Sequence, residues 1–181
     1  MRALPVGVTI GSGADFADHD ELTRELLAID EVVYGELSRE DTGPVDYWDE
    51  VDPYSFYRIA RDGDRVIGYV DIHRFPEAGV AAALRGEVRE GDLLPWLDRS
   101  GSRRITLYIG SVAVLPEYRG KGVGHALIET CIREAKAEGY EVAAVYATLW
   151  SEGFWASFHP AEVARDALGH RVVRLDELAA P

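Results

Sequence analysis

The run Val112-Ala113-Val114-Leu115-Pro116-Glu117-Tyr118-Arg119-Gly120-Lys121-Gly122-Val123-Gly124-His125 carries the strongest chemical signal in the chain. A β-branched apolar strand stops at Pro116, a glycine-studded loop follows, and a helix begins at once. Glycines at 120, 122 and 124 let the backbone curl without Cβ obstruction and approach a ligand closely. Such a loop presents successive N–H groups at a helix N-terminus, where the first amides lack intrahelical partners and the dipole is positive. That is a seat for an anion, a phosphate or pyrophosphate above all. Arg119 and Lys121 bring positive charge to the same place. A Walker loop is excluded, because Lys121 is followed by Gly122 rather than Ser or Thr. A dinucleotide fingerprint is excluded as well: Gly122 and Gly124 would need a third glycine where Leu127 stands, and the loop lies late in the chain.

The elements that must position this loop follow from periodicity and punctuation. Residues 4–10 predict a first strand, and Asp20 a helix N-cap ahead of an apolar stripe of Leu22, Leu26, Ile29 and Val33. Residues 41–53, acidic and holding Gly43, Pro44 and Pro53, predict a loop or short helix. Segments 56–61 and 65–73 flank Asp62-Gly63-Asp64, a hairpin signal. Within 76–103, residues 78–88 predict a short helix and residues 93–97 an apolar turn. Segment 105–115 is the strand before the glycine loop. The helix after the loop buries Val123, Leu127, Cys131 and Ala135, then stops at Gly139-Tyr140. Residues 142–149 predict the next strand, 160–168 a helix opened by Pro160 and ended by Gly169, and 171–175 a last strand. With no repeat and no linker, the 181 residues read as one domain, 1–181.

Composition bounds the function. A formal charge of −13 leaves no basic footprint for nucleic acid. No apolar run approaches the roughly twenty residues of a membrane span, and the N-terminus does not read as a leader. A single cysteine, Cys131, allows no internal disulfide, so the expected setting is cytoplasmic. It lies on the apolar stripe of its helix, a core position rather than a nucleophile. Histidines and cysteine form no close ligand pair, so no metal is expected. Acidic residues crowd Asp15, Asp18, Asp20 and Glu21, and again Glu40, Asp41, Asp46, Asp49, Glu50 and Asp52. They solvate the surface or draw in a cationic partner. Trp48, Tyr54, Phe56 and Tyr57 read either as core or as an aromatic wall for an acceptor.

The pattern Arg-x-x-Gly-x-Gly at Arg119, Gly122 and Gly124, preceded by Val-Ala-Val-x-Pro-x-Tyr and followed by a long helix, resembles the coenzyme A pyrophosphate loop of the GNAT N-acetyltransferase superfamily. The resemblance covers roughly residues 104–140. It implies an α/β (α+β) fold: a mixed central sheet of about six to seven strands with helices on both faces. It also implies acetyl-CoA as co-substrate and acetyl transfer to a primary amine, of a small molecule or a peptide, by direct attack in a ternary complex. The acidic clusters suit a cationic amine. By the same resemblance the pantetheine arm runs along Val112, Ala113 and Val114. The pyrophosphate lies on the amides of Gly120, Lys121, Gly122, Val123, Gly124 and His125, with Arg119 at the entrance.

The later part of the chain departs from the family pattern Asn-x-x-Ala-x-x-x-Tyr-x-x-x-Gly-Phe, whose Tyr protonates the leaving thiolate. Aligning on Gly169 puts Ala161 at Ala, but Phe158 at Asn, Arg165 at Tyr and His170 at Phe. A guanidinium does not give up its proton in a protein, so Arg165 is no substitute acid. His159, Tyr146 and Ser157 are candidate acids, with His159 best matched by intrinsic pKa. Glu152 is a candidate base, as are Asp71 and His73, which share one strand face. A non-catalytic acyl-CoA-binding or sensing domain of the same fold is the alternative, and transfer of a longer acyl chain a third reading. Segment 76–103 reads as an insertion whose apolar residues either cover a cleft, meet a second copy of the chain in a homodimer, or pack without a functional role.

Overall fold

The hairpin at Asp62-Gly63-Asp64 forms as its turn residues dictate. Ser55–Asp62 (β2) and Arg65–Phe75 (β3) pair antiparallel, and Gly63 takes a positive φ of 59° at the tip. In the computed structural model, which describes residues 4–13, 19–35, 50–88, 92–149, 152–165 and 169–179, this hairpin is the middle of a seven-stranded mixed sheet. Val8–Gly11 (β1) edges β2. Arg104–Val114 (β4) runs antiparallel to β3, and Glu141–Leu149 (β5) parallel to β4. Arg171–Arg174 (β7) pairs with β5, and Ala161–Arg165 (β6) closes the far edge. The order is β1-β2-β3-β4-β5-β7-β6. The first strand is shorter than its apolar run, because Pro5 O accepts the Val8 N–H in a turn before pairing starts.

Helices cover both faces. His19–Tyr34 (α1) lies on one side, where the Tyr69 hydroxyl donates to the Asp30 carboxylate. Val123–Ala137 (α3) lies on the other, where Glu134 pairs with Arg58 at 2.6 Å. Arg58 is the ladder partner of Val70, and neighbouring residues of a strand point to opposite faces, so Tyr69 and Arg58 mark opposite sides. β3 is consequently buried from Val66 through His73 without a break. The α3 stripe of Val123, Leu127, Cys131 and Ala135 is buried throughout. The helix ends in a Schellman motif: Tyr140 N–H donates to Ala135 O and Gly139 N–H to Lys136 O.

Segment 76–103 supplies Glu77–Leu84 (α2) and a 3₁₀ turn, Leu94–Trp96. The helix stops short of Val88 because Gly86, at φ 70°, closes a second Schellman motif. Ala83, Leu93 and Leu97 pack with Val51, Phe75 and Tyr108 in a cluster of their own, with the Phe75 and Tyr108 rings stacked at 4.9 Å. The segment is thus internally packed against the sheet.

One predicted element is wrong. Residues 160–168 were expected as a helix, but Ala161–Arg165 is strand β6, antiparallel to β7. Between 161 and 168 only Val163 and Leu168 are large and apolar, five positions apart, so a helix there would have no stripe to bury. As a strand, the segment lets Glu162 pair with Arg171 at 2.6 Å and with Arg165 at 3.1 Å. The helix after β5 is instead the short Glu152–Trp155 (α4), continued by a 3₁₀ turn, Ala156–Phe158. A last turn of helix, Asp176–Ala179 (α5), follows β7. Asp15, Asp18, Glu40, Asp41, Asp46, Trp48 and Asp49 lie outside the described residues.

Candidate active site

Two irregularities of β4 open the site. Its pairing with β5 ends at Ile109↔Ala147, while β5 continues with β7 as far as Leu149↔Arg171, so the two strands part beyond that point. On its other side β4 carries a bulge: Asp71 pairs with Ser111 and Ile72 with Ile109, leaving Gly110 as the extra residue. Leu115 N–H donates to Ile67 O, so the odd residues of this stretch face β3. By alternation, the main-chain groups of Val112 and Val114 face the gap. Val112 O there accepts the Tyr34 hydroxyl at 3.1 Å, and Val114 O accepts Arg119 Nε at 3.0 Å.

A cavity of about 660 Å³ fills the gap. Ile109, Gly110, Val112 and Val114 form one wall, and Val33 and Tyr34 at the end of α1 another. Thr148 of β5 and Phe154, Trp155 and Ser157 of the next turns close it, and residues 118–120 and 122–125 cap one end. It is largely apolar, with hydroxyls at Tyr34, Thr148 and Ser157. Thr148 Oγ1 and the Tyr108 hydroxyl are 2.6 Å apart.

The capping loop is built as its glycines require. Gly120 and Gly122 have φ of 71° and 85°, a region that other side chains rarely enter. Gly122 is the N-cap of α3 and no side chain caps the helix. The first intrahelical bond is Ala126 N–H to Gly122 O at 3.0 Å, so the amides of Val123, Gly124 and His125 precede the ladder. Gly124 serves another purpose: a Cβ there would stand 2.8 Å from the Phe154 ring, so its absence admits that ring to the cavity wall. The loop is anchored by the Tyr118 hydroxyl, which donates to Asp62 at 2.7 Å.

The other predicted site residues separate. Ala113 is fully buried with its main chain toward β3, and Lys121 Nζ lies over the Tyr118 ring, 5.3 Å from its centroid; neither lines the cavity. The His125 ring is pinned: Nε2 lies 2.5 Å from Ser157 Oγ and the ring stacks on Phe158 at 4.3 Å. Ser157 donates its hydroxyl proton to Phe154 O, so His125 is the donor in their bond. Tyr146 is on β5 opposite Tyr108 and packs against the second cluster. His159 is exposed, at φ 47° where the 3₁₀ turn ends. Glu152 opens α4, and its side chain lies outside the described residues. Arg165 is on the exposed edge strand, bonded to Glu162 and to Gly169 O. The alignment on Gly169 therefore measured a strand, and the post-β5 turns bring Ser157 to the cavity instead.

Tyr34, Gly110 and Thr148 are lining residues that sequence reasoning missed. Tyr34 follows directly on the α1 apolar stripe, the one faint signal among them. Behind Gly110 lies a polar row on the α1 face, buried Asp71 and His73 with half-buried Ser55; His73 Nδ1 is 2.8 Å from Ser55 Oγ and Asp71 Oδ1 accepts Ser111 N–H at 2.7 Å. Beside it, burial raises the Asp30 carboxyl to about 6; the Tyr69 hydrogen bond works against the shift and the Asp71 charge adds to it.

Residues 20–159 match the family model described as the acetyltransferase (GNAT) family. No curated protein matches the chain. Among solved structures, Arabidopsis thaliana Naa50 in complex with the bisubstrate analogue CoA-Ac-MVNAL is 14% identical, with 93% of this chain and 98% of that one covered and a TM-score of 0.58. An aminoglycoside acetyltransferase from an uncultured soil metagenomic sample, in complex with sisomicin, is 13% identical over 83% and 82%, with a TM-score of 0.53. A conserved protein from Enterococcus faecalis V583, a probable N-acyltransferase, is 14% identical with a TM-score of 0.54. There 86% of this chain is covered, yet the chain spans only 32% of that protein's length. At such identities the likeness is one of fold.

Proposed function

The chain belongs to the GNAT acetyltransferase family, and from that premise we propose that it is an acetyl-CoA-dependent N-acetyltransferase that acts on a primary amine within a ternary complex. The observation that carries this reading is the parting of β4 from β5 at Ile109, with the resulting gap capped by the amides that precede the helical ladder at the start of α3. Bound there, acetyl-CoA would supply the acetyl group as a thioester, whose thiolate is a tolerable leaving group near neutral pH.

The residues present fit such a ligand. The amides of Val123, Gly124 and His125 suit the pyrophosphate, as does Arg119, whose bond to Val114 O uses one of five N–H donors. Val112 and Val114 direct their N–H groups into the gap, where an extended amide-bearing arm can pair with them. The same kind of donor polarises an acyl carbonyl. Ile109, Phe154 and Trp155 keep water from the reacting end, and Thr148 and Ser157 place hydroxyls on its wall. A small-molecule or peptidyl amine is the acceptor class, and the charge of −13 favours a cationic one. The Naa50 complex holds a peptide analogue and the metagenomic enzyme an aminoglycoside, which supports both forms of acceptor.

The test is thiol release from acetyl-CoA across a panel of alkyl, aminoglycoside and peptidyl amines, alongside the melting shift produced by coenzyme A. Amine-dependent release with a raised Tm is the expected outcome. A raised Tm with no release from any amine would leave a coenzyme-binding domain without transferase activity.

A further inference from the structure

We propose that His73, backed by Asp71, takes the proton from the attacking ammonium through the opening left at Gly110, an inference that rests on the transferase reading above. The His73 ring is fully buried. Ser55 directs its hydroxyl proton to Val51 O at 3.1 Å, so it accepts from His73 Nδ1–H at 2.8 Å. Nε2 of the neutral ring then carries a lone pair. Among the described residues Nε2 has no hydrogen-bond partner, and it lies 3.4 Å from Asp71 Oδ1, itself an acceptor. Two buried acceptors face each other with no donor between them, an arrangement that an added proton relieves.

The cavity reaches this pair at one residue. A Cβ on Gly110 would stand 2.5 Å from Asp71 Oδ1 and 2.7 Å from His73 Nε2, so only a bare Cα separates the two atoms from the gap that Gly110 lines. That glycine is also the bulge residue, at the point where β5 leaves β4.

Attack on a thioester needs an unprotonated nitrogen. In the proposed step an ammonium N–H bond breaks, its electron pair stays on nitrogen, and one water at Gly110 passes the proton to Nε2. The imidazolium so formed is held between the Asp71 carboxylate and Ser55 Oγ. Of the two protons that the nitrogen loses over the whole reaction, this one returns to solvent and the other goes to the departing thiolate.

His73 acts through a water, so the test needs a readout that packing alone would not move. His73→Gln is compared with the wild type in thiol release, with an alkylammonium acceptor and with an arylamine already neutral at the assay pH. The expected loss in kcat is about 10²–10³-fold for the alkylammonium and under about 5-fold for the arylamine, with KM for acetyl-CoA within about twofold. Equal losses for both acceptors, or none, overturn the proposal. Where the variant does not fold or an acceptor is not used, NMR of the histidine nitrogens in the wild-type protein decides. Nδ1–H with a bare Nε2 supports the relay, and the opposite tautomer overturns it. A wild type that binds coenzyme A but releases no thiol with any amine removes the transferase reading, and the relay with it.

Discussion

The two ends of the cavity are made of different material. The end we assign to the coenzyme is chiefly main chain: the amides at the start of α3, and the edge of β4 that faces the gap. The end we assign to the acyl group is assembled from side chains that the sheet brings together, Ser55, Asp71 and His73 behind Gly110 and Thr148 across from it. A site built of backbone tolerates most side-chain change and fails when glycine is lost. One built of side chains fails at single functional groups, and can differ between relatives while the fold stays the same.

Glycine substitutions separate the two ends most sharply. Gly122→Val forces a β-branched residue to φ near 85°, which costs about 1–2 kcal/mol and sets a side chain over the loop amides. The melting shift produced by coenzyme A should vanish; a retained shift contradicts the seat. Gly110→Ala should do the reverse. Its Cβ collides with Asp71 and His73, and overpacking of this kind costs about 1–3 kcal/mol. We expect kcat to fall more than about tenfold, with the coenzyme-induced melting shift intact. Loss of that shift would mean that the ends are not independent.

A smaller effect is a matter of pH. The Asp30 carboxyl is raised from 3.8 to about 6, chiefly by burial. A carboxyl whose folded pKa is raised binds its proton more tightly in the native state, so its contribution is full below about pH 4 and is lost as pH rises through 6. Asp30→Asn keeps an acceptor for the Tyr69 hydroxyl and has no such loss. Its Tm relative to wild type should rise by about 2–4 °C between acidic and neutral pH. A difference that does not change with pH contradicts the assignment.

Main-chain features were legible because glycine and proline announce them. Gly63 marked the hairpin, Gly139-Tyr140 the end of α3, and the run from Val112 to His125 the strand, glycine loop and helix start that cap the cavity. The acyl end was not legible as a constellation. Asp71 and His73 share a strand face by spacing alone, but their meeting with Ser55 depends on the β2–β3 register. Their proximity to the cavity depends on a bulge that moves Gly110 out of the ladder. Thr148 and Tyr108 are forty positions apart and meet only in the folded sheet. The helix expected at 160–168 rested on Pro160 as a start signal and Gly169 as a stop; edge pairing with β7 outweighed that local punctuation. Arg165, which aligning on Gly169 sets at the family's Tyr position, lies on that edge strand, and the post-β5 turns deliver Ser157 to the cavity.

The central claim is that the amides at the start of α3, with Arg119 beside them, seat the coenzyme, and a crystal structure of the chain with coenzyme A tests it most directly. The pyrophosphate should be hydrogen-bonded to the amides of Val123, Gly124 and His125, with the pantetheine arm between β4 and β5. A pyrophosphate held by side chains away from those amides, or an arm outside that gap, would contradict it.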